Sequence, residues 1–290
     1  MEYSWIAYSL LASLCIGLYG FAQKVKAEMP EQSDNGFIFY SYFAMMLAGL
    51  IGWIFHGFHF DFFDIQILSF AFIITLLYIV IVKSRLISLR FLSSSSYFIN
   101  YRIFSSTWLI VVWILLFWDT LSLKQIIWIL LWFYVFYLLI EKKSKNETLS
   151  DLKKWFFYLL IGSFAVTWLQ TLGKNFAISD FDVFTLIFYQ GVLWCIMILL
   201  LKWQETFSEV FKIHHARQFL FLVWAGVVFG ISTIFNIYAL KEWNLALVYK
   251  VISYSLFIPI ILSIIFYKEK ITLKKLFAFA LTIISIFLFF

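Results

Sequence analysis

The chain predicts an all-α integral membrane fold, with ten transmembrane helices arranged as two inverted five-helix repeats. Three observations predict it. Hydrophobic residues make up 64% of the chain and charged residues 13%, against about 45–50% and 25% in soluble domains. Apolar segments near the ~20 residues that cross a bilayer recur at 4–22, 37–56, 67–84, 95–117, 123–140, 155–173, 181–201, 217–239, 245–267 and 274–290. The chain also repeats itself at an offset of 150 residues: Trp5 falls on Trp155, Tyr8 on Tyr158, Ser13 on Ser163, Lys24 on Lys174 and Trp53 on Trp203. Residues 1–142 form the first repeat, 143–154 a linker and 155–290 the second repeat.

Each element carries its own signal. The first span has Glu2 where a signal peptide has basic residues, and its apolar stretch runs past Tyr19; it reads as a membrane helix. Ser122 and Gln125 form a capping-box pattern at the start of span five. Thr272 holds the matching place before span ten, so spans four–five and nine–ten read as tight helical hairpins. Pro259 lies inside span nine, where it removes a backbone hydrogen bond and permits a kink. Its counterpart in the first repeat is Leu109, so that feature is not shared. The polar stretch Glu141 to Lys154 joins the halves and is too short for a soluble domain.

Charge sets the expected orientation. The loops after spans one, three, five, seven and nine hold Lys24, Lys26, Lys83, Arg85, Arg90, Lys142, Lys143, Lys145, Lys153, Lys154, Lys202, Lys212, Arg217, Lys268, Lys270, Lys274 and Lys275. The opposite side holds Lys124, Lys174 and Lys241. Positive residues stay cytoplasmic, so both termini are expected outside. The net charge of +6 therefore reports topology and not a nucleic-acid partner.

Span nine, its hairpin and span ten read Asn244-Leu-Ala-Leu-Val-Tyr-Lys-Val-Ile-Ser-Tyr-Ser-Leu-Phe-Ile-Pro-Ile-Ile-Leu-Ser, then Phe266-Tyr-Lys-Glu-Lys-Ile-Thr-Leu-Lys-Lys, then a last apolar helix. This closely resembles the end of an EamA-type repeat of the drug/metabolite transporter superfamily. That repeat has a helix with a central proline, a short Glu-Lys/Arg-hydrophobic-Thr hairpin and a final helix. The first half resembles a degenerate copy with Asp119 at the glutamate position, and the opening helix with Gly17, Gly20 and Lys24 is similar to the family's first. The chain departs from the pattern in its few glycines, 11 in all, and its dense aromatics. The resemblance implies a secondary transporter with a central cavity lined by spans one, three, four, six, eight and nine. It points to no single substrate.

Ionisable residues inside a span are costly and usually face a cavity or a partner. Arg102 in span four and Lys250 in span nine stand out, and Lys250 falls on Asn100 in the repeat. Asn100, Tyr101, Arg102, Ser105 and Ser106 make span four the most polar helix, and Lys250 and Tyr254 share a face at i,i+4. The two cations suit an anionic group. The alternative is that Lys250 snorkels to the interface and Arg102 meets helix-end carbonyls. Gln170, Gln190 and Asn236 offer amide hydrogen bonds to substrate or between helices. Tyr19, Trp168 and Trp224 are candidates for an aromatic cavity wall, while Trp5, Trp118, Trp155 and Trp203 suit interfacial belts. The substrate-binding candidates are thus Lys250, Arg102, Asn100, Tyr101, Tyr254, Asn236, Gln170, Tyr19, Trp168 and Trp224.

Absences narrow the expectation. No Asp or Glu falls mid-span, against a proton-coupled exporter of cations; Glu269 is left to pair with neighbouring lysines of its hairpin. Cys15 and Cys195 lie in apolar segments, and His56, His59, His214 and His215 lie in loops without metal-site spacing, so no catalytic residue, metal or cofactor is expected. No phosphate-binding Gly-rich loop occurs, so ATP is not the direct driver. No cluster of acids, histidines or serines suggests an enzyme. The expected protein moves a small, polar, anionic metabolite such as an amino acid, organic acid or phosphorylated compound by alternating access. Its partners would be that substrate, membrane lipid, and a coupling proton or exchanged counter-substrate, in the cytoplasmic membrane of a prokaryote. The alternative is an exporter or flippase of amphiphilic or aromatic compounds or lipid-linked anions, favoured by a laterally open cavity.

Overall fold

Apolar runs this long satisfy their backbone polar groups internally, and the helix does so within one segment. The computed structural model describes residues 4–29, 34–56, 64–117, 149–179, 181–201, 216–243, 245–269 and 272–288, with Leu123, Ile126, Ile127, Leu130, Leu131, Tyr134, Val135 and Leu138. The helices are α1 Ser4–Ala27, α2 Asp34–His56, α3 Ile65–Phe91, α4 Ser94–Phe117, α5 Leu149–Ile178, α6 Val183–Leu201, α7 Ala216–Glu242, α8 Leu245–Ser253, α9 Phe257–Tyr267 and α10 Leu273–Leu288. No strand occurs among the described residues. Six stretches are long and apolar enough to cross a membrane: Ser4–Ala27, Asp34–Phe55, Ile65–Phe91, Lys153–Ile178, Val183–Leu200 and Arg217–Glu242. The expected capping residues Ser122 and Gln125, the hairpin residue Asp119 and His214-His215 lie outside the described residues.

Several predicted boundaries move. The first span runs to Ala27 instead of ending at 22, and the third to Phe91 instead of 84. Lys24, Lys26 and Arg85 are therefore helical and buried, not loop residues. Hydropathy falls where these charges begin, but the helix continues because each side chain finds a partner inside the bundle. The linker expected over 143–154 is helical from Leu149 onward.

Span nine is broken. α8 ends at Ser253, a short 3-10 turn covers Tyr254–Leu256, and α9 restarts at Phe257. Pro259 sits in the first turn of α9, where a missing N–H costs little. Gly17 of α1 lies against this turn: an added Cβ would stand 2.6 Å from Ile258 and 2.7 Å from the Ser255 carbonyl. α9 ends on Lys268 in the left-handed conformation, φ 52°. Thr272 then caps α10, its Oγ1 accepting from Lys275 N–H.

The helices pack α1 on α7, α2 on α6, α3 on α5 and α2 on α7, with α4 on α5 and α1 against α8 and α9. The α2–α6 seam is close: a Cβ at Gly191 would meet Met46 at 2.5 Å, and one at Gly49 would meet Phe188 N at 2.7 Å. One core gathers Tyr42, stacked on Trp194 at 4.1 Å, and Tyr19, stacked on Phe229 at 4.4 Å. A second holds Tyr97, Tyr101, Trp155, Leu256 and Ile260. Large apolar side chains also face outward, among them Leu10, Phe55, Leu200, Phe266 and Leu276, which is the pattern a lipid-facing surface requires.

Charge closes one end of the bundle. Lys24 pairs with Glu28, and its Nζ is 3.9 Å from Glu269. Glu269 Oε1 accepts from Ser94 N–H at the start of α4 (3.1 Å), where a carboxylate meets the positive end of the helix. Lys26 meets Asp34 at 3.2 Å, and Arg90 Nη2 donates to both Asp34 oxygens at 2.7 and 2.8 Å. Beyond the hairpin lysines that sequence proximity suggests, the Glu269 carboxylate reaches α1 and α4. The opposite end closes differently. Trp5 stacks on Trp243 at 5.3 Å, and Lys174 Nζ donates to the carbonyls of Leu240 (2.6 Å) and Trp243 (2.8 Å).

Candidate functional site

Between these two ends, α1, α3, α5 and α7 line a partly open cavity of about 70 Å³. Ligand pockets usually measure ~300–1,000 Å³, so the space holds a few waters with the helices at this spacing. Its walls are mixed. Ile16, Val82, Leu169 and Phe229 are apolar, while Tyr19, Gln23, Tyr78, Arg85, Gln170, Ser232, Thr233 and Asn236 bring polar groups.

Arg85 dominates the electrostatics. It is 9% exposed, yet no carboxylate pairs with it among the described residues. Its Nη1 donates to Gln23 Oε1 at 2.7 Å, and its guanidinium stands 4.9 Å over the Tyr101 ring. Its Nε has no hydrogen-bond partner. The Tyr97 and Tyr101 side chains also meet the guanidinium, so its partners are neutral groups, and an anion arriving in the cavity would be the first to neutralise it among the described residues. Around it stand further polar atoms that are buried and unpartnered: Tyr19 Oη, Gln23 Nε2, Gln170 Oε1 and Asn236 Oδ1. Buried polar groups usually find partners, so these atoms are available to a ligand or waters in the cavity, as are other unpartnered buried groups elsewhere in the bundle such as Gln190 and Thr75. By contrast Ser232 and Thr233 donate to the Phe229 carbonyl within their own helix.

The expected site residues separate into groups. Tyr19, Gln170 and Asn236 line the cavity. Tyr101 lies under Arg85, and its hydroxyl points to the Gly162 carbonyl at 3.5 Å. Asn100 is fully buried with both amide atoms unpartnered. Arg102 is outside the cavity lining: its guanidinium stands 4.2 Å over the Tyr249 ring, and Ser105 shares a hydrogen bond of 2.8 Å with the Tyr249 hydroxyl. Tyr254 lies in the 3-10 turn beside Phe257, and Trp168 packs on Phe164. Trp224 is 39% exposed and stacked on Phe221, on the outer face of α7. Lys250 is helical, and its side chain lies outside the described residues. Sequence reasoning missed Arg85, Gln23 and Tyr78. The available signal was the spacing Tyr78, Val82, Arg85, one helical face that points inward once α3 continues past residue 84.

A second opening lies between α4, α9 and α10. Ile99, Ile260, Ile264, Leu276 and Phe279 line a cleft of about 240 Å³, with Ser95, Glu269 and Lys275 also contributing. Among the described residues no group of three or more His, Cys, Asp or Glu could hold a metal ion.

No family model matches the chain, and no curated protein matches it. Solved structures do: 26 chains resemble it. One, described only as "Crystal structure of protein", has a TM-score of 0.65 at 12% identity, over 97% of this chain and 96% of its own. At that identity the likeness shows the fold alone. Fold and composition together give a helical, multi-pass membrane architecture around a small polar cavity.

Proposed function

We propose that the protein is a secondary active transporter of a small anionic metabolite, working by alternating access, in the manner of the drug/metabolite transporter superfamily. The observation that carries this reading is Arg85, buried beside a cavity inside the bundle with no carboxylate among the described residues to neutralise it. An unpaired intramembrane cation of this kind is expensive unless a substrate uses it.

The packing supports the repeat. Shifting by 150 residues exchanges α1 with α5, α2 with α6 and α3 with α7. Under that exchange the α1–α7 contact becomes α5–α3, and α2–α6 maps onto itself; both contacts are present. A two-fold relation of this kind supplies two equivalent closures for one site, as inverted-repeat carriers require. The ten-span count, the halves at 1–142 and 155–290, and the cytoplasmic membrane of a prokaryote complete the proposal. The end rich in Lys24, Lys26, Arg90 and Lys275 then faces the cytoplasm and both termini face outward. Lys250 and Arg102 enter as further cations on the path.

The cleft between α4, α9 and α10 favours a second reading, an exporter or flippase of amphiphilic anions. Its apolar wall would take a chain, and Lys275 a head group. Reconstituted vesicles decide between them. Counterflow of radiolabelled hydrophilic anions that is lost in Arg85→Gln supports the carrier. Movement of a labelled amphiphile that survives Arg85→Gln and is blocked by Ile99→Trp in the cleft supports the flippase and sinks the carrier.

A further inference from the structure

The cleft between α4, α9 and α10 is polar at one end and apolar along the rest, which is the profile of a membrane lipid. We infer that it holds one phospholipid with a primary-ammonium head group, of the phosphatidylethanolamine type, taken from the leaflet that meets the charged end of the bundle. Such a lipid carries no net charge, so it is a resident of the cleft, distinct from the anionic cargo of either transport reading.

The polar lining residues share one level. Ser95 stands in the first turn of α4, Glu269 just past the end of α9 and Lys275 in the first turn of α10. Ile99 lies a turn deeper on α4, Phe279 a turn deeper on α10, and Ile264 and Ile260 follow back along α9. The cleft opens outward, where Ile261 is 49% and Leu276 56% exposed. In a membrane such a face meets acyl chains, so the cleft fills from the side with a chain and not from water. Its volume, about 240 Å³, suits a stretch of one chain.

The head group follows from charge. Among the described residues the lining carries one acid, Glu269, and one cation, Lys275. Glu269 Oε1 accepts from Ser94 N–H, and Lys24 Nζ approaches it only to 3.9 Å while pairing with Glu28 at 2.5 Å. Glu269 Oε2 is buried with no hydrogen-bond partner. A carboxylate only accepts and a primary ammonium only donates, so an ammonium in the cleft completes Glu269. Lys275 Nζ reaches Ser93 Oγ at 3.4 Å, and its three N–H groups let it meet a lipid phosphate as well. A phosphoethanolamine head supplies both groups, phosphate for Lys275 and ammonium for Glu269, with the chain running down past Ile99 and Ile264. A phosphocholine head has the positive charge but no N–H to donate, and a phosphoglycerol head has no cation.

The test is melting of the full chain, purified and delipidated in detergent, with added phosphatidylethanolamine, phosphatidylcholine or phosphatidylglycerol of the same acyl chains. Phosphatidylethanolamine should raise the melting temperature with an apparent affinity about tenfold or more above the other two, because charge-assisted hydrogen bonds are the strong ones. Glu269→Gln should bring phosphatidylethanolamine down to the level of phosphatidylcholine. Leu276→Trp, which fills the exposed side of the cleft, should remove the shift with all three lipids. Native mass spectrometry should retain one phosphatidylethanolamine per wild-type chain and none on Leu276→Trp, so the inference stays testable if Glu269→Gln does not fold. Equal shifts with phosphatidylethanolamine and phosphatidylcholine overturn the inference, and so does a preference for phosphatidylglycerol. A shift that survives Leu276→Trp reports general solvation of the apolar surface and also overturns it.

Discussion

Arg85 and Gln23 lie 62 residues apart in the chain, and the guanidinium of one donates to the amide oxygen of the other at 2.7 Å across the α1–α3 boundary. The bond joins two helices that both outrun their hydrophobic stretches, and it fixes the orientation of a cation at the cavity wall. Gln23 spends its acceptor on this bond and keeps its donor for the cavity.

The geometry of that pair makes Arg85 irreplaceable by lysine. A guanidinium can hold Gln23 and an anion at once, whereas an ammonium is a single point with a different reach. Arg85→Lys should lower anion uptake by about tenfold or more, corresponding to ~1.4 kcal/mol or more, and Arg85→Gln should lower it further. Initial rates of counterflow in proteoliposomes measure both.

Removing the Glu269 carboxylate should loosen the charged end. Glu269→Gln weakens the contact to Lys24 and the charge-assisted bond to Ser94 N–H. A loss of ~1–3 kcal/mol is expected, read as a lower melting temperature of the purified protein. Lys24 keeps Glu28 as a partner, so the fold should survive. An unchanged melting temperature would remove Glu269 from the structural ties.

Gly17 is a steric requirement. Its missing side chain lets α1 touch the 3-10 break, and a Cβ would stand 2.6 Å from Ile258. Gly17→Val should destabilise by ~1–3 kcal/mol or more through overpacking. Gly36 is the control: a Cβ added there would meet nothing within 4 Å, and Gly36→Ala in α2 should be neutral or stabilising by about 0.5–1 kcal/mol. Melting of the two variants side by side measures the difference.

Lys268 offers the opposite sign. It ends α9 at φ 52°, ψ 36°, exposed to solvent. A left-handed L-residue costs about 1–2 kcal/mol that glycine avoids. Lys268→Gly should therefore raise the melting temperature, and a lower value would show that the lysine side chain contributes more than its backbone costs.

Much of the helical framework is legible in the sequence, and the reasons for the rest are physical. Apolar runs locate α1, α2, α3, α6 and α7 because lipid demands them, and Pro259 marks the α8–α9 break because its ring and missing N–H act locally. Tyr19, Gln170 and Asn236 could be singled out as polar groups in apolar runs. Arg85 could not, because a charge at the end of a hydrophobic stretch reads as a loop, and only packing of α3 on α5 and α1 turns it inward. The contacts of Glu269 to Ser94 and Lys24 were illegible for a similar reason: Ser94 lies 175 residues away and Lys24 further still, and no local pattern encodes that distance. Arg102 shows the converse. Its chemistry suggested an anion; its face lies over the Tyr249 ring of α8, and its buried Nη2 has no hydrogen-bond partner, which the sequence alone does not disclose.

The lone charge of Arg85 has an electrical consequence. At the closed end, Lys24, Lys26 and Arg90 face Glu28, Asp34 and Glu269, so these pairs respond weakly to voltage. The cavity carries one positive charge when empty and none when a singly charged anion is bound. The membrane potential acts on a full elementary charge with about 2.3 kcal/mol per 100 mV. Voltage then bears on the unloaded half of the cycle and leaves the loaded half nearly untouched, so cell polarisation would set the rate of carrier return more than the rate of substrate passage.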